Sequence, residues 1–450
     1  MKTVITYGTF DLLHKGHLRL LERAKALGDY LIVGVTSDQY DKARGKLNVS
    51  QSTLERVDAV RATGLADVVI LEEYEGQKID DIIRYNVDIF TVGSDWRGAF
   101  DYLSDYCDVV YLDRTQGISS SEIRSFNRRL RVGMVGGVSY LSKFLRESAY
   151  VDGVEVVGVF WEGPNPIPPD LEALPLVARS YNELISNVDA AYLISPPASH
   201  FKQISKALGK GIHVLCESPL VLDPLQVEEL HALAQECGCQ LIESLRTAYS
   251  DAFHYLLLLV KGGIIGDVVA IDATCTSLRS VDLEADFTRM GMWNSICAWG
   301  PAAMLPVFQL MGTEYETKHI MSQISSDEIM YDEFTRVVFV FESSVATITV
   351  GQGVKSEGSL VVSGTKGYVY VPSPWWKTEY FEIRFENAAD NKRYFYKLDG
   401  EGIREELVSF VKAVNGMQDA AHIEPSISKA IARVLADYYS GKGLRRLERK

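Results

Sequence analysis

Short apolar runs alternate with amphipathic stretches from the first residues of the chain. "TVITYG" from Thr3 is built of strand formers, "HLRLLERAKALG" carries apolar residues at helical spacing, and "YLIVGVTSD" is strand-like again. A polar loop, "QYDKARGKLNVSQS", follows. After it the pattern predicts a helix ("TLERVDAVRATG"), a strand ("DVVILE"), a helix ("QKIDDIIRYN"), a strand ("DIFTVG"), a further helix, a strand ("DVVYLD") and a helix ("SSSEIRSFNRRL"). Alternation at this spacing predicts an α/β fold with a doubly wound, Rossmann-like parallel sheet. Near Arg131 the cycle restarts with strand "RVGMVGG", helix "SYLSKFLRESAYVDG" and strand "VEVVGVFW", and it runs through "AAYLISPP" and "IHVLCESP" to about Ser250. Beyond that point the runs lengthen: "VVAIDATCTS", "RVVFVFESSVATITVG", "SLVVSG", "GYVYVP", "YFEIRFE" and "KRYFYKLD" predict a mostly antiparallel sheet in an α+β region. The helix "SKAIARVLADYYSG" is expected to close the fold. The pattern thus predicts three domains, 1–129, 130–250 and 251–450, with no Pro/Gly/Ser-rich linker between them.

Composition agrees with several globular domains: 450 residues, 47% hydrophobic and 24% charged. A formal net charge of −14 argues against general nucleic-acid affinity, which needs clustered Lys and Arg. The run "RRLR" at Arg128–Arg131 reads as a solvated helix end. Six scattered cysteines, with only Cys237 and Cys239 close together, fit reduced thiols of a cytoplasmic protein. The start "MKTVITYG" has no signal-peptide core, and the longest aliphatic run, "YLLLLV", is far too short to cross a bilayer, so no membrane partner is expected.

The densest candidate chemistry lies in "YGTFDLLHKGH". Gly8 ends the first strand, where a ligand needs close backbone approach. The helix start that follows offers unpaired N–H groups and a partial positive charge. His14 and His17, three residues apart, project on one side of it beside Gly16 and place two donors for phosphate oxygens. A second helix start, "RTQGISSSEIR", brings Arg114, Thr115 and the hydroxyls of Ser119 and Ser120. Together with "VGSDW" these motifs resemble the glycerol-3-phosphate cytidylyltransferases, small members of the HxGH nucleotidylyltransferase superfamily, from Met1 to about Arg128.

The resemblance implies transfer of CMP from CTP, with Mg²⁺, to a polyol phosphate. It assigns His14, His17, Lys46 and Arg114 to catalysis. Gly8, Thr9, Phe10, Asp11, Gly16, Asp95, Arg114, Thr115, Ser119 and Ser120 would hold the nucleotide, Asp11 being also a candidate metal contact. Arg44, Lys46, Arg56 and Trp96 would meet the acceptor. One departure concerns the acceptor: Gly64 stands where the family usually has an arginine, and Arg56 and Arg61 on the same helix are left to replace it. Family resemblance also implies a homodimer.

From Arg131 onward "RVGMVGG", "YLISPPASH", "GIHVLCESPL" and "LLLLVKGGIIGDVVAIDAT" resemble the glucose–fructose oxidoreductase and inositol dehydrogenase family. Its dinucleotide motif G-x-G-x-x-G reads "GGVSYL" here, with Val138 and Leu141 at glycine positions. Trp161 stands where the ribose-binding acid belongs, with Glu162 one step on. "CESP" puts Ser218 in the place of the catalytic lysine, and Ala298 and Ala302 take the places of the acid and the proton-transferring histidine. His200 reads as a remnant of the fold. NAD(P) is not expected as a working cofactor, and the region is expected to scaffold or to bind a ligand. Two alternatives stay open: a bifunctional enzyme whose second half reduces the precursor of the acceptor, and an assembly protein that only binds ligands.

Overall fold

The computed structural model describes residues 2–13, 15–43, 49, 51–74, 76–113, 129–137, 140–162, 166–278, 294–326, 330–416 and 423–448. The chain divides into two units, Met1–Arg129 with Tyr150–Gly153, and Leu130–Ala149 with Val154–Lys450.

In the first unit, β1 (Thr3–Gly8), β2 (Tyr30–Thr36), β3 (Val68–Glu72), β4 (Ile89–Gly93) and β5 (Asp108–Leu112) form one parallel sheet in the order β3-β2-β1-β4-β5. Both faces are covered, which is why the strands read as continuous apolar runs. Leu21 and Ala24 of α1 (Lys15–Lys25) and Val57 and Val60 of α2 (Thr53–Ala62) share a core with Val4, Leu31 and Val33. On the opposite face Ile82 packs with Ile5, Ile32 and Phe90. Each fully buried Val, Leu, Ile or Phe among them contributes about 1.5–3 kcal/mol by leaving water. Gly34 in β2 is required by close approach, since a Cβ there would lie 2.2 Å from the Tyr7 ring. A capping box starts α2: Ser52 Oγ accepts from the Glu55 N–H, and the Glu55 carboxylate accepts from the Ser52 N–H.

Two elements differ from the pattern-based expectation. The polar loop after β2 opens with a short helix, Asp38–Ala43, because Ser37 accepts a backbone bond from Asp41. The helix expected between β4 and β5 is instead two 3₁₀ turns, Ser94–Trp96 and Asp101–Asp105. Gly98, at φ +89°, breaks the run between them.

The second unit holds two sheets. The first is parallel, in the order β11-β10-β9-β6-β7-β8, from β6 (Leu130–Gly136), β7 (Val154–Trp161), β8 (Leu176–Val177), β9 (Ala190–Leu193), β10 (His213–Glu217) and β11 (Leu241–Ser244). Strand order reverses between β6 and β9, where a doubly wound sheet takes its ligand. The second sheet is mixed: β12 (Val268–Leu278), β13 (Thr317–Ser326), β14 (Tyr331–Val340), β15 (Val345–Gly351), β16 (Gly353–Val354), β17 (Leu360–Gly364), β18 (Tyr368–Val371), β19 (Tyr380–Arg384), β20 (Lys392–Phe395) and β21 (Leu444–Arg446). Most pairs are antiparallel, as the turn-separated runs predict. β12 and β15 run parallel at its centre, and so do β13 and β21 at one edge. "RVVFVFESSVATITVG" is two strands, not one, closed by a bond from the Phe341 N–H to the Ser344 carbonyl. The helix Pro425–Tyr439 is also not the last element, since the chain returns through β21.

Candidate functional site

β1 leaves the sheet of the first unit at Gly8, beside β4, where the strand order reverses. The next turn is tightly wound, with Phe10 and Leu12 at φ +54° and +48°, a conformation disfavoured for residues with a Cβ. Phe10 folds back so that a Cβ on Gly8 would lie 3.1 Å from its ring. His17, the third residue of α1, meets the Phe10 ring edge-on at 5.4 Å. Gly8, Thr9, Phe10, Asp11, Gly16 and His17 therefore gather around one strand end and one helix start. His14, Arg44, Lys46, Arg114, Thr115, Ser119 and Ser120 lie outside the described residues.

The turn is held from behind. Thr9 Oγ1 donates to Asp41 (2.9 Å), the Gln51 N–H donates to Asp11 (3.0 Å), and the Leu12 N–H donates to Gln51 Oε1 (2.8 Å). Arg56 is the keystone, and here the structure corrects the expected acceptor role. It is fully buried and donates to the carbonyls of Thr9 and Thr36 (2.7 Å each), to the Gln51 carbonyl (3.0 Å), to Asp38 (2.5 Å) and to Thr53 Oγ1 (3.4 Å). Every guanidinium N–H is committed inward, leaving none for a phosphate. Burial raises the Asp38 carboxyl, but bonds from the Thr53 backbone and Arg56 outweigh this and hold it below its usual range. Arg61 points elsewhere, exposed and 3.6 Å from Asp58, and nothing lies within 4 Å of a Cβ at Gly64.

At the end of β4 the backbone of Asp95 lies in the first 3₁₀ turn, and Trp96 is half exposed, its ring 5.8 Å from Phe100. The Phe100 N–H donates to Tyr111 Oη, which donates to Asp101 (2.7 Å). Sequence reasoning missed a second buried network nearby. Lys78 pairs with Glu72, and its ammonium stands 4.8 Å from the Tyr7 ring and 5.4 Å from Phe100. Tyr7 donates to Asp81 (2.8 Å), and burial, then Asp81, pushes its hydroxyl pKa up. The polar letters of "QKIDD" resemble a solvated face, so only packing reveals it. Among the described residues no group of three or more His, Cys, Asp or Glu converges to hold a metal.

In the second unit, Gly136 ends β6 so close to β9 that a Cβ would lie 2.6 Å from Ile194 Cγ2, and Leu141 is buried at a glycine position of the dinucleotide motif. Val138 lies outside the described residues. Trp161 ends β7; partial desolvation raises the carboxyl of the next residue, Glu162. Ser218 is buried and donates to Glu243 (2.5 Å), which also accepts from the Leu220 N–H (3.1 Å) and from Ser428. Ala298 and the buried Ala302 present only methyl groups on the helix Ser295–Met311. His200 is fully buried, with Nε2 2.7 Å from the Ser195 carbonyl oxygen and Nδ1 3.1 Å from that of Pro219; burial lowers its pKa. It ties the turn after β9 to the turn after β10.

Residues 5–126 match the Cytidylyltransferase-like family, and residues 130–244 match the oxidoreductase family with an NAD-binding Rossmann fold. The first segment is 49% identical over 124 residues to a glycerol-3-phosphate cytidylyltransferase of Bacillus spizizenii, covering 28% of this chain and 95% of that protein. It is 46% identical to the Staphylococcus aureus protein of the same name, covering 28% and 93%. Among solved structures, KijD10, a 3-ketoreductase of Actinomadura kijaniata in complex with NADP, superposes with a TM-score of 0.61 at 18% identity, covering 71% of this chain and 99% of that one. At that identity the likeness is one of fold.

Proposed function

The chain belongs to the cytidylyltransferase-like family, and we propose that its first unit transfers CMP from CTP to a polyol phosphate of the glycerol phosphate type. The carrying observation is the β1–α1 turn with His17 at the point of strand-order reversal, in a segment 49% identical to a relative of that name. An acceptor phosphate oxygen attacks the α-phosphorus of CTP. The new P–O bond forms as the bond to pyrophosphate breaks, so no protein nucleophile is required.

The protein's part is positioning and charge stabilisation. His14 and His17 face the phosphate oxygens, with Gly8, Thr9, Phe10, Asp11, Gly16 and Asp95 lining the nucleotide. Arg114, Thr115, Ser119 and Ser120 hold the triphosphate, and Arg44, Lys46 and Trp96 meet the acceptor. Arg56 is a positioning residue, because its donors hold the turn that carries Thr9. Mg²⁺ would neutralise charge on the triphosphate and arrive with it, as is usual for an ion that keeps much of its water. Asp11 is a poor fit as a direct ligand, being buried and occupied by the Gln51 N–H.

The second unit keeps a dehydrogenase fold without hydride transfer. Its fit to an NAD(P) reaction is poor, since the hydroxyl in the lysine's place is spent on Glu243 and two methyl groups replace the acid and the histidine. The deciding assay is pyrophosphate release from CTP and Mg²⁺ with glycerol 3-phosphate, glycerol 2-phosphate and ribitol 5-phosphate, read by product mass. A CDP-polyol with at least one of them is expected, and His17→Ala should lower kcat by about two orders of magnitude or more. No pyrophosphate with any acceptor would overturn the reading.

A further inference from the structure

Outside the residues used above, the second unit contains an unusual charge arrangement near the C-terminal ends of β6, β10 and β11. Three cations from three distant parts of the chain face one carboxylate. Lys143 Nζ lies 2.5 Å from Glu401 Oε2, Lys377 Nζ lies 2.8 Å from Oε1, and Arg246 Nη1 lies 4.0 Å from Oε2. Lys143 belongs to the helix Tyr140–Ser148 that follows β6, and Arg246 lies just after β11 with its guanidinium 4.9 Å from the Tyr140 ring. All four charged side chains are between about a quarter and two-fifths exposed, so water-borne ligands reach them.

The carboxylate is delivered by a tightly wound loop. Gly400, Glu401 and Gly402 have φ of +63°, +56° and +86°, three consecutive residues in the left-handed region. Glycine tolerates this freely, but Glu401 does not. Burial alone would raise the Glu401 carboxyl, yet hydrogen bonds from Lys143 and Lys377 hold it down at about 2. The ion pairs thus keep a disfavoured backbone in place.

The charge balance points to what replaces Glu401. Arg246 also faces Glu217 and Glu406. Glu406 is fully buried; burial, then Glu217, pushes its carboxyl up to about 8. Arg404 pairs with Glu147 and Lys397 with Asp399, and these charges cancel. With Glu401 withdrawn, Lys143, Arg246 and Lys377 present three cationic groups to one point, a donor set suited to a phosphoryl anion.

We propose that Lys143, Arg246 and Lys377 form a phosphoryl-anion site in the second unit, and that Glu401 occupies it as an internal stand-in until a ligand displaces the Asp399–Gly402 loop. A free phosphate monoester and a nucleoside diphosphate share this chemistry. The site is independent of hydride transfer and of what the first unit transfers.

The test is hydrogen–deuterium exchange on the full chain, followed across residues 398–405, with inorganic phosphate, sn-glycerol 3-phosphate and CDP as separate probes. Exchange there is expected to accelerate as a probe is added, and the most potent probe identifies the ligand class. The response should vanish in Lys143→Gln/Lys377→Gln. Glu401→Gln should exchange rapidly without ligand and bind the effective probe about fivefold more tightly, as the intramolecular competitor is lost. Exchange unmoved by all three probes, a response surviving in the double variant, or unchanged affinity in Glu401→Gln would each overturn the proposal. Because the signal comes from this loop, it stands apart from the outcome of the pyrophosphate assay.

Discussion

Arg56 illustrates how far a residue's type falls short of its role. On the sequence it is a helix arginine near a missing family arginine, and it invites assignment to an anionic acceptor. In the structure it is fully buried, and five acceptors from four segments close around it. Arg56→Ala would leave Asp41 buried beside a lost partner and take a donor from three carbonyls, those of Thr9, Thr36 and Gln51; it should cost about 3–5 kcal/mol in the first unit, read by urea unfolding of that unit's signal. Arg56→Lys should recover little of this, because a single ammonium cannot span the same acceptors. His17→Ala, by contrast, should leave stability nearly intact while lowering kcat. The pair of variants separates a residue that shapes the turn from one that uses it.

Among the elements, the strand–helix alternation of the first unit was readable because the central strands β1, β2 and β4 are buried on both faces and the helix Lys15–Lys25 carries an apolar stripe. A capping box at Ser52 and Glu55 starts the helix Thr53–Ala62, and Ser52→Ala should cost about 1 kcal/mol, measurable as a lower unfolding midpoint. The missing helix after β4 was less legible from the alternation of elements, although "SDWRGAFDYLSD" holds mostly weak helix formers and the left-handed Gly98 divides it. The loop at Gly400–Gly402 left no periodic signal at all. Its acid response follows from Glu401, whose carboxyl is held below its ordinary value of 4.5, at about 2. The folded state then gains stability from this group above pH ~4.5 and loses it as pH falls toward 2. Glu401→Gln should flatten that part of the stability curve, measured by thermal unfolding between pH 5 and about 2.

Over the whole molecule, the two units carry different kinds of legibility. The first resembles its relatives in motif and matches them in sequence; the second shares the oxidoreductase fold at 18% identity to KijD10. Ser218→Ala should destabilise the second unit by about 1–3 kcal/mol, since Glu243 loses a buried donor, and should leave pyrophosphate release unchanged. Titration with NADPH and candidate keto or aldehyde phosphates should give no oxidation at 340 nm; turnover there would restore the bifunctional alternative. No helix among the described residues is long and apolar enough to cross a membrane.

By itself the sequence determined the strand–helix alternation, the two parallel sheets and the place of the His17 turn, because local periodicity and strand-end glycines encode them directly. Only tertiary structure decided that Arg56 faces inward, that Lys78 joins a buried network, that Ser218 serves Glu243, and that Lys143, Arg246 and Lys377 converge on Glu401. Those facts depend on which distant side chains share a low-dielectric space, and a charge's partners and its exposure are set by packing rather than by its neighbours along the chain.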